Sequence, residues 1–417
     1  MLTIEDSKNF FRRQKDLTID IIFCDPPYGL GSEIIIMPDG KPDYSKSSDF
    51  MNKWDMPTGT FWEEWYKEAY RILKYGGYCI MYGMDRQLLL FKYYAALAGF
   101  KEKQSLYWYF TKNFPKASDL SKNIDKNMGE KVNIMTRIAV AGQINPSKHL
   151  RSSKEITDGY IKHKPQSQLS KKYEGYKYSI SPLKQTNETI MVFQKPYKTG
   201  SCLHDVLAYE AGDITCSCGA LNIDGNRCPI TDGADLARIN KKNHRMFKTI
   251  GDGTKNTAQQ RKEKGLPPLG RYPSQTFISP EVTEVLGDAS KILYKCPYEE
   301  GEIDLYIYCP KVTRAEREAG MHENESNDRK LNNKTNYYNS HPTVKPISLN
   351  THILKLFKTP NKQRILIPFA GSGSEIIGAI KAGFTDWQAC EINPEYVSIA
   401  ETRIKYWSSK PEQQTIF

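Results

Sequence analysis

The sequence predicts an α/β protein built on an open sheet, and two observations predict it. Near the N-terminus, Ile19–Cys24 holds five apolar residues in six, three of them β-branched, and ends in Asp25, Pro26, Pro27 and Tyr28. Near the other end, residues 364–392 read as strand, glycine turn, helix and second strand, one βαβ unit. In open α/β sheets ligands bind at the carboxyl ends of strands.

The first element is the stop after Cys24. Each proline fixes φ and removes a backbone N–H, so Asp25 should sit at a strand end on a stiff turn. The second is the stretch Arg364–Pro368, a short buried strand, followed by the "AGSGS" turn and "EIIGAIKAG", which has helical spacing and a glycine stop. Trp387–Cys390 reads as the next strand, ending in Glu391, 20 residues after the first loop glycine. Glycines let a backbone approach a ligand, and an acid at that strand tip can accept both ribose hydroxyls. The G-x-G-x-x-G pattern fails at its third position, Ile376. A pyrophosphate clamp is disfavoured, which points to a nucleoside cofactor without phosphates, S-adenosylmethionine. Between these landmarks lies "SHPTVKP" (340–346), just before a helical segment. Thr343 and the adjoining amides could bind a carboxylate there, with Lys345 as counter-charge.

Composition narrows the class. The 417 residues are 26% charged and 39% hydrophobic, as in a globular protein of two or three structural units. The most apolar stretch, "LLLFKYYAALAGF", is interrupted by Lys92, and the N-terminus lacks a signal-peptide core. Nine scattered cysteines suit a reducing cytoplasm. The net charge of +11 is concentrated: residues 111–200 carry 17 Lys+Arg against 7 Asp+Glu, with the tyrosine-interleaved run "KKYEGYKY" at 171–178. Such a segment suits a polyanion with stackable bases. Cys202, His204, Cys216, Cys218 and Cys228 invite a zinc reading, but their spacing favours scattered thiols, and no metal is expected.

"DPPYG" early, "HPTVKP" late and "PFAGSG" last resemble the β-group amino DNA methyltransferases, as do longer stretches such as "SPLKQTNETIMVFQKP" and "IYCPKVTRAEREAG". The resemblance implies a doubly wound, mostly parallel, Rossmann-like sheet in circularly permuted order with an inserted target-recognition region. Residues 1–110 would form the catalytic half, 111–335 the target-recognition region, and 336–417 the S-adenosylmethionine-binding half. It further implies Asp25, Pro26, Pro27 and Tyr28 as the catalytic turn. Asp6, Thr343, Lys345, Phe369, Gly371, Ser372, Gly373 and Glu391 would line the cofactor; Asp6 reads equally as the cap of a helix at Ser7–Phe11. The implied partner is double-stranded DNA, with a homodimer left open and no membrane. The reaction is methylation of adenine N6 or cytosine N4, with adenine preferred because "DPPY" accompanies it more often. A solitary phage or prophage enzyme and the modification half of a restriction pair both fit.

Three positions depart from the β-group pattern. Ile367 stands where an aspartate is usual, and Ser374 and Glu375 where two threonines are usual. Glu375 either replaces the missing acid or simply favours the first turn of its helix. A DNA-binding protein with weak catalysis is the alternative these changes keep open.

Overall fold

The computed structural model describes residues 1–27, 35–36, 42–43, 59–110, 116–130, 134–138, 160–227, 272–278, 294–295, 312–321 and 338–410. In chain order the elements begin with β1 (Leu2–Ile4), α1 (Ser7–Arg12), β2 (Ile19–Cys24), the short pair β3 (Ile35–Ile36) and β4 (Pro42–Asp43), α2 (Gly59–Ile72), β5 (Leu73–Gly83) and α3 (Asp85–Ala98). Then come β6 (Lys101–Glu102), β7 (Leu106–Tyr109), β8 (Lys116–Asp119), α4 (Leu120–Asn127), β9 (Ile134–Ile138), β10 (Tyr160–His163), α5 (Gln168–Lys172), β11 (Lys177–Ser181), β12 (Asn187–Gln194) and α6 (Cys202–Glu210). The chain continues with β13 (Thr276–Ile278), β14 (Tyr294–Lys295), α7 (Arg314–Glu318), α8 (Ile347–Phe357), β15 (Arg364–Ile367), α9 (Ser374–Lys381), β16 (Asp386–Glu391) and α10 (Pro394–Ser409).

Residues 1–111 with 187–417 form one compact unit, and 112–186 a second. The first is built on a sheet in the order β1-β16-β15-β2-β5-β12-β7-β13-β14, with β6 beside β12. From β1 to β5 every pairing is parallel; β12 runs antiparallel to both its neighbours. Alternation along β2 shows why the sheet is wound on both faces. Ile21 and Phe23 pack with Leu349, Ile353 and Leu354 of α8 and Ile376 of α9. Ile22 and Cys24 point the other way, among Phe10 and Phe11 of α1 and Trp62, Trp65 and Tyr66 of α2. The one polar residue of the strand, Asp20, is 3% exposed. It accepts from Lys74 Nζ at 3.0 Å, Ser217 Oγ at 2.9 Å and the Arg364 N–H at 2.9 Å. A buried carboxylate is tolerable when its lone pairs are filled in this way.

The second unit is small. β8 pairs with β11 and β9 with β10, both antiparallel. Its centre is Asp125, wholly buried, which accepts from His163 Nε2 at 2.8 Å, the Gln166 and Ser167 N–H groups, and the Ser167 and Ser170 hydroxyls. These bonds hold its pKa below the usual carboxylate range despite burial, which acts the other way. Residues 187–227 and 272–278, within the stretch expected for target recognition, lie in the first unit, with β12 central to its sheet. Among the described residues, no helix is long and apolar enough to cross a membrane.

Candidate active site

Because β1, β16, β15, β2 and β5 are parallel, their carboxyl ends share one edge of the sheet. Asp25 follows β2, the loop Pro368–Gly373 follows β15, and Glu391 closes β16. These are three adjacent strands, so Asp25, the glycine loop and Glu391 are neighbours by topology. Asp6 follows β1 at the same edge, where Glu5 N–H donates to the Glu391 carbonyl. Its Oδ1 caps α1 by accepting the Lys8 N–H at 3.0 Å. β12 is antiparallel, and its start, with Glu188, lies against the end of β5 at this edge too.

Local chemistry shapes the loop. Phe369 has φ 57°, uncommon for a bulky residue, and its ring stacks on Trp65 at 6.0 Å with a 23° tilt. Gly371 has φ 49°, and a Cβ there would meet His341 Nε2 at 2.6 Å, so both conformation and space require glycine. Ser372 is anchored from below by the fully buried Arg403, whose Nη1 donates to Ser372 O at 2.6 Å and to the hydroxyls of Ser372 and Ser374. Glu391 is 8% exposed; its carboxylate accepts the N–H groups of Gly371 and Asn393, each at 2.9 Å. Burial raises its pKa, and those donors restrain the rise. An acceptor-only group fixed at a strand tip, above a backbone that turns away in left-handed steps, fits a ribose.

Pro26 is buried and Pro27 half-buried beside Asp25, and Tyr28 lies outside the described residues. Lys345 does not face outward from its loop. Its Nζ donates to Asp25 Oδ2 at 2.7 Å and lies 3.4 Å from Glu188 Oε2 and 4.9 Å from the centre of the Tyr82 ring. Burial works against its charge, but Asp25 and Glu188 outweigh it and raise its pKa. Thr343 is exposed. The α8 N-terminus, where a cofactor carboxylate could have docked, carries a carboxylate of the protein itself: Glu316 Oε1 accepts the Ile347 N–H at 2.7 Å.

Several of these residues escape sequence reasoning. Glu188 stands between Asn187 and Thr189 at the polar start of β12, just before the apolar run Ile190–Phe193. α7 supplies three consecutive clamps: Glu316 on Ile347, Arg317 on the His341 carbonyl, and Glu318 on the Tyr338 N–H. Ile367, in the departure position, is fully buried in the apolar core, and Glu375 is 4% exposed in the first turn of α9. Cys228 lies outside the described residues, among which no group of His, Cys, Asp and Glu could hold a metal ion.

Solved structures similar to the chain include a DNA modification methylase of Thermus thermophilus complexed with S-adenosyl-L-methionine, at 12% identity and TM-score 0.39, covering 98% of this chain and 96% of that one. The cytosine-N4-specific PvuII DNA methyltransferase matches at 11% identity and TM-score 0.38, covering 97% of this chain and 85% of that one. The M1.HpyAVI–SAM complex matches at 11% identity and TM-score 0.35, covering 97% and 98%. No curated protein matches the sequence. The profile of the N6/N4 DNA methylases matches residues 19–402, nearly the whole chain. The chain therefore belongs to this DNA methylase family, the S-adenosylmethionine-dependent DNA methyltransferases that act on exocyclic amines.

Proposed function

We propose that the protein methylates the exocyclic N6 of an adenine flipped out of double-stranded DNA. The observation that carries this reading is the meeting of Asp25, the Phe369–Gly373 loop and Glu391 at the ends of three adjacent parallel strands.

When bound, S-adenosylmethionine supplies an electrophilic methyl group on a sulfonium. Glu391 would take the ribose hydroxyls, and the loop's turned backbone would let the nucleoside approach. An exocyclic amine is a poor nucleophile because its lone pair is delocalised into the ring. Asp25 and the Pro26 carbonyl are acceptors for its two N–H bonds, and they stabilise positive charge as it develops on nitrogen. The prolines hold that carbonyl in place, so orientation is settled before the base arrives. Extrusion of the base costs roughly a few kcal/mol, and stacking on Tyr28 would return about 1–3 kcal/mol. Lysines of the 171–178 run would contact phosphates. The adenine preference rests on the "DPPY" form of the turn; cytosine N4 is the alternative, since the same acceptors suit either amine.

The test is transfer of label from radiolabelled S-adenosylmethionine to unmethylated DNA, followed by separation of the nucleosides. Label in N6-methyladenine is expected, and Asp25→Ala should lower the rate by about 10²–10³-fold while cofactor still binds. Label in N4-methylcytosine would replace the base assignment. No label, with cofactor and DNA both bound, would leave a binding module.

A further inference from the structure

Asp25, Tyr82 and Glu188 stand on one face of three neighbouring strands. In the order β2-β5-β12, Ile21, Phe23, Tyr82 and Ile190 belong to the cluster that packs on α8. Side chains two residues apart share a face of a sheet. Asp25, two beyond Phe23, and Glu188, two before Ile190, therefore prolong that face at its carboxyl edge, where Ile190 pairs with Tyr82. The Lys345 ammonium lies over this row. Its Nζ is 2.7 Å from Asp25 Oδ2, 4.9 Å from the centre of the Tyr82 ring and 3.4 Å from Glu188 Oε2. One cation thus spans from the turn after β2 to the start of β12.

A lysine carries its charge on a flexible four-carbon stem with rotatable donors, so one carboxylate does not fix where the ammonium sits. Glu188 supplies a second point, and its own backbone is pinned from both sides. Thr189 lies opposite Gly83 of β5, and Glu188 opposite Trp108 of β7. As a source of stability Glu188 is poorly placed. It is 7% exposed, and its Oε2 makes no hydrogen bond among the described residues. An ion pair of 3.4 Å then offsets little of the cost of burying the carboxylate. What the contact does accomplish lies at the other end of the ammonium, at Asp25.

Resting on the reading that Asp25 accepts from the target amine, we propose that Glu188 is a positioning residue for methyl transfer. It holds the Lys345 ammonium from the β12 side, and the ammonium fixes the rotation of the Asp25 carboxylate. Transfer needs that acceptor aimed before the base arrives; a carboxylate left to turn about its Cβ–Cγ bond must be ordered in the transition state instead. Glu188 contacts neither base nor methyl donor in this scheme and acts only through Lys345.

The experiment is single-turnover transfer of label from S-adenosylmethionine to unmethylated DNA by the full chain, with affinities for S-adenosylhomocysteine and DNA measured alongside. Glu188→Gln should slow transfer about tenfold or more. Both affinities and the melting temperature should stay close to wild type, because the effect falls on the chemical step. In a Lys345→Met background the same substitution should change the residual rate by less than about twofold, since the route through the ammonium is already gone. Glu188→Asp keeps the charge on a shorter stem and should recover part of the lost rate. A Glu188→Gln protein that melts well below wild type, or that transfers at the wild-type rate, would overturn the assignment by making Glu188 structural or idle. A loss that persists undiminished in the Lys345→Met background, or Glu188→Asp no faster than Glu188→Gln, would overturn it too. No transfer by the wild type, with S-adenosylhomocysteine bound, would instead overturn the reading of Asp25 beneath it.

Discussion

Lys345 Nζ donates to Asp25 Oδ2 from 2.7 Å, joining residues 320 positions apart in the chain. The contact ties the loop before α8 to the Asp25 turn after β2, and Glu188 shares the same ammonium.

Removing that ammonium while keeping the stem's bulk, as in Lys345→Met, takes from two buried carboxylates the cation they share. A loss of about 3–5 kcal/mol of stability is expected, read by chemical denaturation at pH 7.5, together with loss of methyl transfer. The pH sense follows from the raised pKa. A cation favoured in the folded state contributes fully below its unfolded value and is lost only as pH rises through the folded one. The wild-type contact should therefore show no weakening from pH 6 to 9.

Glu375 behaves oppositely. Its folded pKa, about 7, lies above the ordinary carboxylate value of 4.5, so ionisation in the ligand-free fold is disfavoured. The folded state binds more protons than the unfolded one between these values, and stability falls as pH rises through them. Glu375→Gln should raise the melting temperature of the ligand-free protein at pH 8, by on the order of 2–3 kcal/mol of stability. The gain should shrink as pH approaches 5. A constant gain across that range would remove Glu375 as the titrating group.

Restoring the β-group aspartate is not a repair. Ile367 is packed with Leu349, Ile353 and Ile376, so Ile367→Asp would bury an unpaired carboxylate. Destabilisation of roughly 3 kcal/mol or more is expected from thermal melting, with cofactor affinity unimproved.

Lys171 and Lys172 are exposed at the end of α5. If they contact phosphates, replacing both by alanine should weaken binding to all DNA sequences alike. The slope of log affinity against log salt should fall by about 1–2. An unchanged slope would move the electrostatic footprint elsewhere.

The parts of this site that are local in sequence are legible there. Two prolines after an apolar strand place Asp25, and the interval from Gly371 to Glu391 follows from one βαβ unit. Lys345 shows where such reading stops. Its spacing before a helix suggests a ligand for cofactor carboxylate, yet its partners come from the turn after β2 and from β12, and no local pattern encodes a contact across 320 residues. Asp20 is the same lesson in miniature: it looks like a flaw in a buried strand until Lys74 and Ser217 fill its lone pairs. Glu188 sits at the polar start of its strand, between Asn187 and Thr189, so neither its burial nor its cation shows locally.

β7 ends and β12 begins as antiparallel neighbours, with Tyr109 opposite Asn187, and everything from 112 to 186 is strung between them. The arrangement is a hairpin whose turn has grown into a folded body. Its two splice points lie about 5 Å apart, a separation fixed by the sheet and indifferent to what hangs from it. A module whose own ends come equally close would meet the same two strand ends. If target choice resides in that body, as the proposed function would have it, it can diversify on a schedule separate from the sheet's, and grafting between relatives at this seam is the engineering counterpart.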